Sequence, residues 1–208
     1  MWYLNPQDEP TIRSERVVVK YEEYFEPMVG LTKRQLKRRV EMAEELDTLL
    51  FLLFLAWEYE TDETEAENDF IKGYKDIVEK YDDVGLEDDF DEYITLLAAS
   101  LHETTIRNWG DPYYTSFDRA TFVAANEANT ALNKIEYAEA KADGKSRKTW
   151  HTERDMRVRP THVLMESKTV PIDEDFIVGG YPMAYPKDSS KGAPPNEIVN
   201  CRCSVTYN

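Results

Sequence analysis

The segment DRATFVAANEANTALNKIEYAEAKADGKSRKTWH, residues 118–151, contains the point at which the chain changes character. Up to Ala142 it reads as one long helix. Ala124, Ala128, Ala131, Ile135, Ala138 and Ala142 recur at steps of three and four, a stripe of small side chains that lets another helix approach closely. Thr115 or Ser116 is placed to cap it, and Gly144 to end it. Beyond Gly144 the pattern shortens to extended pieces at Thr149–His151, His162–Met165, Thr169–Ile172, Phe176–Val178 and Cys203–Tyr207. Pro160, Gly179-Gly180, Pro182, Pro186 and Pro194-Pro195 separate them.

Upstream the pattern is helical. Thr32-Lys-Arg-Gln35 fits a capping box, with a hydroxyl accepting from the third backbone N–H while the Gln side chain reaches back. Leu36, Val40, Ala43, Leu46, Leu50, Leu53 and Trp57 then follow one face. From Leu49 to Trp57 the segment is apolar all round, which implies burial on several sides. That burial comes from the rest of the chain or from a second subunit, so Leu49, Leu53 and Trp57 are candidates for an oligomer contact. Thr61–Asn68 reads as an acidic break. Asp69–Tyr81 and Asp88–Trp109 read as two further helices, the second with a face of Phe90, Ile94, Leu97, Leu101 and Ile106. Residues 1–31 read as an extended, irregular arm punctuated by Pro6, Pro10, Pro27 and Gly30, with Val17–Val19 as a short strand. The expected fold class is α+β: a helical N-terminal part, then a long helix packed on a small, mostly antiparallel β part. The expected division is an arm over 1–31, an acidic helical domain over 32–114 and an α+β domain over 115–208.

Charge is divided just as unevenly. Residues 1–110 carry 27 acids and 12 bases, a net of −15, and residues 111–208 carry 14 acids and 13 bases, a net of −1. A surface that negative repels phosphate, so the N-terminal half suits a basic partner or solvent rather than DNA. Lys145, Arg147, Lys148 and Arg154 form a basic run beside Trp150 and are the candidates for contact with DNA. The longest apolar run, Leu49–Trp57, is nine residues, short of the roughly 20 a membrane helix requires. No signal peptide is visible at Met1-Trp-Tyr-Leu-Asn-Pro, which leads to an expectation of synthesis and assembly in a bacterial cytoplasm.

No Gly-rich phosphate loop, nucleophile elbow or His-Glu-x-x-His helix is present, so the expectation is a protein without enzymatic activity or cofactor. Cys201 and Cys203 lie one residue apart and point the same way on an extended chain, where a disulfide would be strained. Together with His162 and Asp188 they are candidate zinc ligands, although Cys-x-Cys alone is a weak signature. The competing reading is a pair of packed thiols and a hydrogen-bonded imidazole. Arg157 and Arg159 alternate with Met156 and Val158, and are expected to share one face in an ion network with Glu127, Asp155 or Asp188.

Five blocks carry a family resemblance: Asn126-Glu127-Ala128 with Asn133; Lys148-Thr149-Trp150; Asp155-Met-Arg157-Val-Arg159-Pro160-Thr161-His162; Val170-Pro171-Ile172-Asp173 with Pro186-Lys-Asp188; and Asn200-Cys201-Arg202-Cys203. In order and spacing, residues 118–206 resemble the phage Mu F-type head morphogenesis (minor capsid) proteins, while residues 1–110 resemble nothing nameable. The resemblance implies Glu127, Trp150, Arg157, Arg159, His162, Asp173, Asp188, Cys201 and Cys203 as the motif core. It implies a virion-head protein, associated with the portal or the inside of the shell, that acts by binding in head assembly or in DNA packaging or ejection. Some relatives carry toxin modules, so the alternatives are an effector enzyme (nuclease or ADP-ribosyltransferase) using Glu127, Arg159 and His162, or a stand-alone interaction module. With the sequence ending at Asn208, a fused toxin module is not expected. One departure stands out. Where the family has a glycine after the His, this chain has Met165-Glu166-Ser167-Lys168, and a turn of a different type is expected because Ser167 tolerates a positive φ poorly.

Overall fold

The computed structural model describes residues 21–26, 28–59 and 62–208. Four helices precede the long one: α1 (Tyr21–Phe25), α2 (Lys33–Glu58), α3 (Glu63–Tyr81) and α4 (Glu87–Arg107). A 3₁₀ turn at Pro112–Thr115 leads into α5 (Phe117–Ala142). Thereafter come β1 (Arg147–His151), α6 (Pro160–Val163), β2 (Thr169–Pro171), β3 (Phe176–Val178), β4 (Tyr181–Met183), α7 (Pro195–Ile198) and β5 (Ser204–Tyr207). β1 is the centre of an antiparallel sheet, β2-β1-β5, with Trp150 opposite Val205, and β3 and β4 form an antiparallel hairpin. The architecture is α+β, as the periodicities imply.

Local chemistry explains the element ends. Thr32 and Gln35 make the reciprocal capping box in full. Ser116 caps α5 by accepting from the Arg119 N–H. Gly144, at φ +70°, carries the chain from α5 into β1.

Several elements differ from the sequence expectation. Residues 21–25, assigned to the extended arm, form a helix because Tyr21 and Phe25, four residues apart, turn both rings into the core. Residues 1–20 and Pro27 of that arm, including the expected strand at Val17–Val19, lie outside the described residues. The acidic stretch before Asp69 is not a break. Asp62 accepts from the Glu65 N–H, and Glu63 and Glu65 occupy a first turn where negative charge is favoured. His162–Met165 is not a strand either: Pro160 opens a helical turn there, a position where its missing N–H costs nothing. Ile106 is 50 % exposed because the buried face of α4 runs through Leu101, Thr104 and Thr105 in its last turns.

The hydrophobic core is continuous. α2 packs chiefly on α5 and α3, and one buried cluster runs from Phe25 and Trp57 through Ala124, Ala128 and Ile135 to Trp150, Phe176 and Val205. Leu53 and Trp57 are interior residues of that cluster, and Leu49 abuts Gly73 of α3. The segment is therefore buried on the face of Leu50, Leu53, Phe54 and Trp57, while Leu52 is 58 % exposed on the opposite face, and Leu53 and Trp57 are unavailable for an oligomer contact. The N-terminal segment also reaches the far end of the fold. Ser204 donates its hydroxyl to the Val29 carbonyl, and Gly30 lies so close to His151 and Thr206 that a Cβ there would stand 2.9 Å from the imidazole. Among the described residues, no helix is long and apolar enough to cross a membrane.

Candidate functional site

His162, Cys201 and Cys203 converge in the interior of the α+β part, each no more than 3 % exposed. Pro160 starts α6 and fixes the turn that carries His162 inward. Trp150 of β1 lies edge-on to the imidazole, with centroids 5.8 Å apart, and Phe176 of β3 packs on Trp150 at 5.1 Å. Cys201 follows Asn200, which takes a left-handed φ of +56° and turns the chain back toward α6. Between the two cysteines, Arg202 points the other way and meets Asp155 at 2.8 Å, and it also pairs with Glu153. Both sulfurs therefore share one side of the chain.

The imidazole sits between two kinds of partner. Its Nε2 lies 3.1 Å from Glu197, whose same oxygen accepts from Thr161 Oγ1 at 2.8 Å. Its Nδ1 lies 3.4 Å from Cys201 Sγ and 3.5 Å from Cys203 Sγ. Burial alone would lower the His162 pKa, but the Cys201 sulfur and the Glu197 carboxylate outweigh it and the net shift is upward. Cys201 is held well below the usual thiol range, first by the adjoining Cys203 thiol and then by His162. Cys203 is pushed up by the same contact and by burial. Two thiols and one imidazole thus share protons as a unit. Gly179, read from sequence only as part of a turn, lets Glu197 reach this position: a Cβ there would come within 2.6 Å of its carboxylate.

Glu127 and Asp188, expected near the arginines, belong to other arrangements. Glu127 is fully buried and accepts from Tyr93 at 2.7 Å, Tyr74 at 3.3 Å and Asn126 at 2.9 Å. Lys187 donates to the Asn126 carbonyl beside it, and burial lowers its pKa to about 8. Asp188 accepts from the Ala184 and Ser190 N–H groups and so shapes the loop after β4. It is absent from the His–Cys–Cys cluster.

The two motif arginines do not share a face. Residues 152–159 form turns rather than a strand, so the alternation fails. Arg157 is exposed and paired with Asp155, whereas Arg159 is half-buried and donates to the Val199 carbonyl. The buried guanidinium–carboxylate pair is instead Arg39 with Glu136, joining α2 to α5. The signal for it was present: Arg39 stands three residues after Leu36 and four before Ala43, on the apolar stripe itself. Asp173 is exposed and meets Lys141 at 2.8 Å. Of the basic run, Lys148 is fully buried, with its ammonium donating to the Ala184 carbonyl at 2.7 Å over the Tyr137 and Phe176 rings. It is unavailable to DNA, because its position on β1 faces the core. Arg154 is occupied by Glu166, while Lys145 and Arg147 are exposed. Ser167 takes the left-handed φ, at +60°, that a glycine would have taken, so the turn keeps that conformation rather than changing type.

The family model described as Phage Mu protein F like protein matches residues 68–206, which is 139 of 208 residues. The match starts inside α3, some 50 residues before the stretch in which the resemblance was legible. No curated protein and no solved structure gives a significant match. With two thirds of its length matched, the chain belongs to the Phage Mu protein F like family of phage head morphogenesis and minor capsid proteins.

Proposed function

We propose that this head protein works by binding: its α+β part docks on the portal or on another protein of the inner capsid, during head assembly or DNA packaging or ejection. The carrying observation is the family match over residues 68–206. The disposition of side chains supports it. Glu127, His162 and Asp188 spend their polar atoms inside the fold, on Tyr74 and Tyr93, on Glu197 and the cysteines, and on the Ala184 and Ser190 N–H groups, which is the behaviour of a rigid docking unit. Met156, Val163 and Leu164, within nine residues of chain, are 103 %, 53 % and 77 % exposed. Exposed apolar side chains on an otherwise well-packed part fit a protein partner. In this reading the acidic helical part faces solvent or a basic partner. The test is co-purification with portal protein from infected cells. Wild type should be retained, and Met156→Glu combined with Leu164→Glu should weaken retention at least tenfold. Mature and immature heads free of the chain, together with no portal binding in vitro, would remove the proposal.

A further inference from the structure

We propose that His162 Nδ1, Cys201 Sγ and Cys203 Sγ form a zinc-binding site, with a water molecule as the fourth ligand. The three atoms lie within 4.8 Å of one another, and all three residues are buried. Zinc–sulfur bonds of about 2.3 Å and zinc–nitrogen bonds of about 2.0–2.1 Å at tetrahedral angles place nitrogen and sulfur about 3.6 Å apart. The observed separations are 3.4 and 3.5 Å.

Hydrogen bonding alone accounts poorly for this equality. An imidazole nitrogen has one in-plane direction, occupied by a lone pair or a proton, and so addresses one sulfur rather than two. A cation between the three atoms uses all of them. Tautomer chemistry agrees. Nε2 faces the Glu197 carboxylate at 3.1 Å, so it carries the proton and leaves the Nδ1 lone pair free for a metal. A carboxylate behind a ligating imidazole is the usual outer support of a zinc site. Soft thiolates with one imidazole select zinc over magnesium or calcium.

A cavity of about 20 Å³ borders these three residues, with Glu153 and Arg159 on its wall. That is room for one water, which needs about 10–15 Å³. On binding, the thiol protons pass to solvent and two thiolates hold the ion. The ion would fasten the segment entering β5 to α6.

The experiment uses the full chain, purified under reducing conditions and reconstituted with excess Zn²⁺, then desalted. About one zinc per chain is expected by elemental analysis. Cys201→Ser, Cys203→Ser and His162→Ala should lose it, and the exposed Asp173→Asn should keep it. Because a cysteine variant could fail to fold, two further readouts stand apart from those variants. Co²⁺ added to metal-free wild type should give thiolate-to-cobalt charge-transfer absorption. Glu197→Gln should keep that band while its metal affinity falls 10- to 100-fold. Wild type that holds no zinc after reconstitution, or cobalt bound without the thiolate band, overturns the proposal.

Discussion

Glu166 shows how one carboxylate closes a loop. One oxygen accepts from the Thr152 N–H and hydroxyl, both at 2.6 Å, and the other accepts from Arg154 at 2.7 and 2.9 Å. Burial pushes its pKa up, but those hydrogen bonds prevail and hold it at about 2, against an ordinary 4.5. The folded chain therefore takes up this proton at lower pH than the unfolded chain. The stabilisation is complete well above pH 4.5 and drains away as pH falls from about 4.5 toward 2. Part of the side chain faces water, so screening limits the gain to about 1–2 kcal/mol. Urea titrations of wild type and Glu166→Gln should show that gap at pH 7 and less than half of it at pH 3. A gap unchanged between the two pH values would refute the assignment. Nothing in the sequence marked Glu166 for this role, because Thr152 and Arg154 become its neighbours only when α6 folds back on the loop after β1. Ser167 next to it was legible as a position that needs a positive φ. That a serine would accept the strain was not.

Between elements, the governing contact is α2 on α5. Arg39 uses all five of its N–H donors there: Nε to Asn129, Nη1 to the Gln35 carbonyl and Glu136, Nη2 to Asn133 and Glu136. Asn129 and Asn133 pass the connection on by donating to the Cys201 and Pro186 carbonyls. α2 thus bears on the segments around the cysteines through α5. Removing Arg39 strands the Glu136 carboxylate, 5 % exposed, without its counter-charge. Arg39→Ala should cost about 3–5 kcal/mol in chemical denaturation, and the double variant with Glu136→Ala should cost less than the sum of the single losses. A single loss below about 1 kcal/mol would mean the pair is not what joins the helices. The helices themselves were legible because apolar periodicity survives translation into packing. What periodicity hides is the polar minority on the same stripe, and here Asn126, Glu127, Asn129, Asn133 and Glu136 of α5 are that minority. Short elements were harder to read: β4 and α7 are three and four residues long, too few for a period to register.

Across the molecule, charge opposes compactness on one side. Of the charge in residues 1–110, α3 and α4 hold 12 acids against 4 bases and pack against each other, so like charges repel at close range. Salt that shortens the Debye length from about 30 Å at 0.01 M to about 8 Å at 0.15 M should raise the melting temperature by about 2–4 °C for each kcal/mol relieved. A melting temperature that fell over this range would show that attractive pairs, such as Lys75–Asp91 and Lys80–Glu45, outweigh the repulsion. The bond between Ser204 and the Val29 carbonyl spans 175 residues of sequence and sets a timetable. At bacterial synthesis rates of about 5–20 residues per second, Val29 waits roughly 10–35 seconds before its partner is polymerised. During that interval Val29 and Gly30 lack the strand they finally rest on, so the closure between the two ends of the fold is among the last contacts the nascent polypeptide can make.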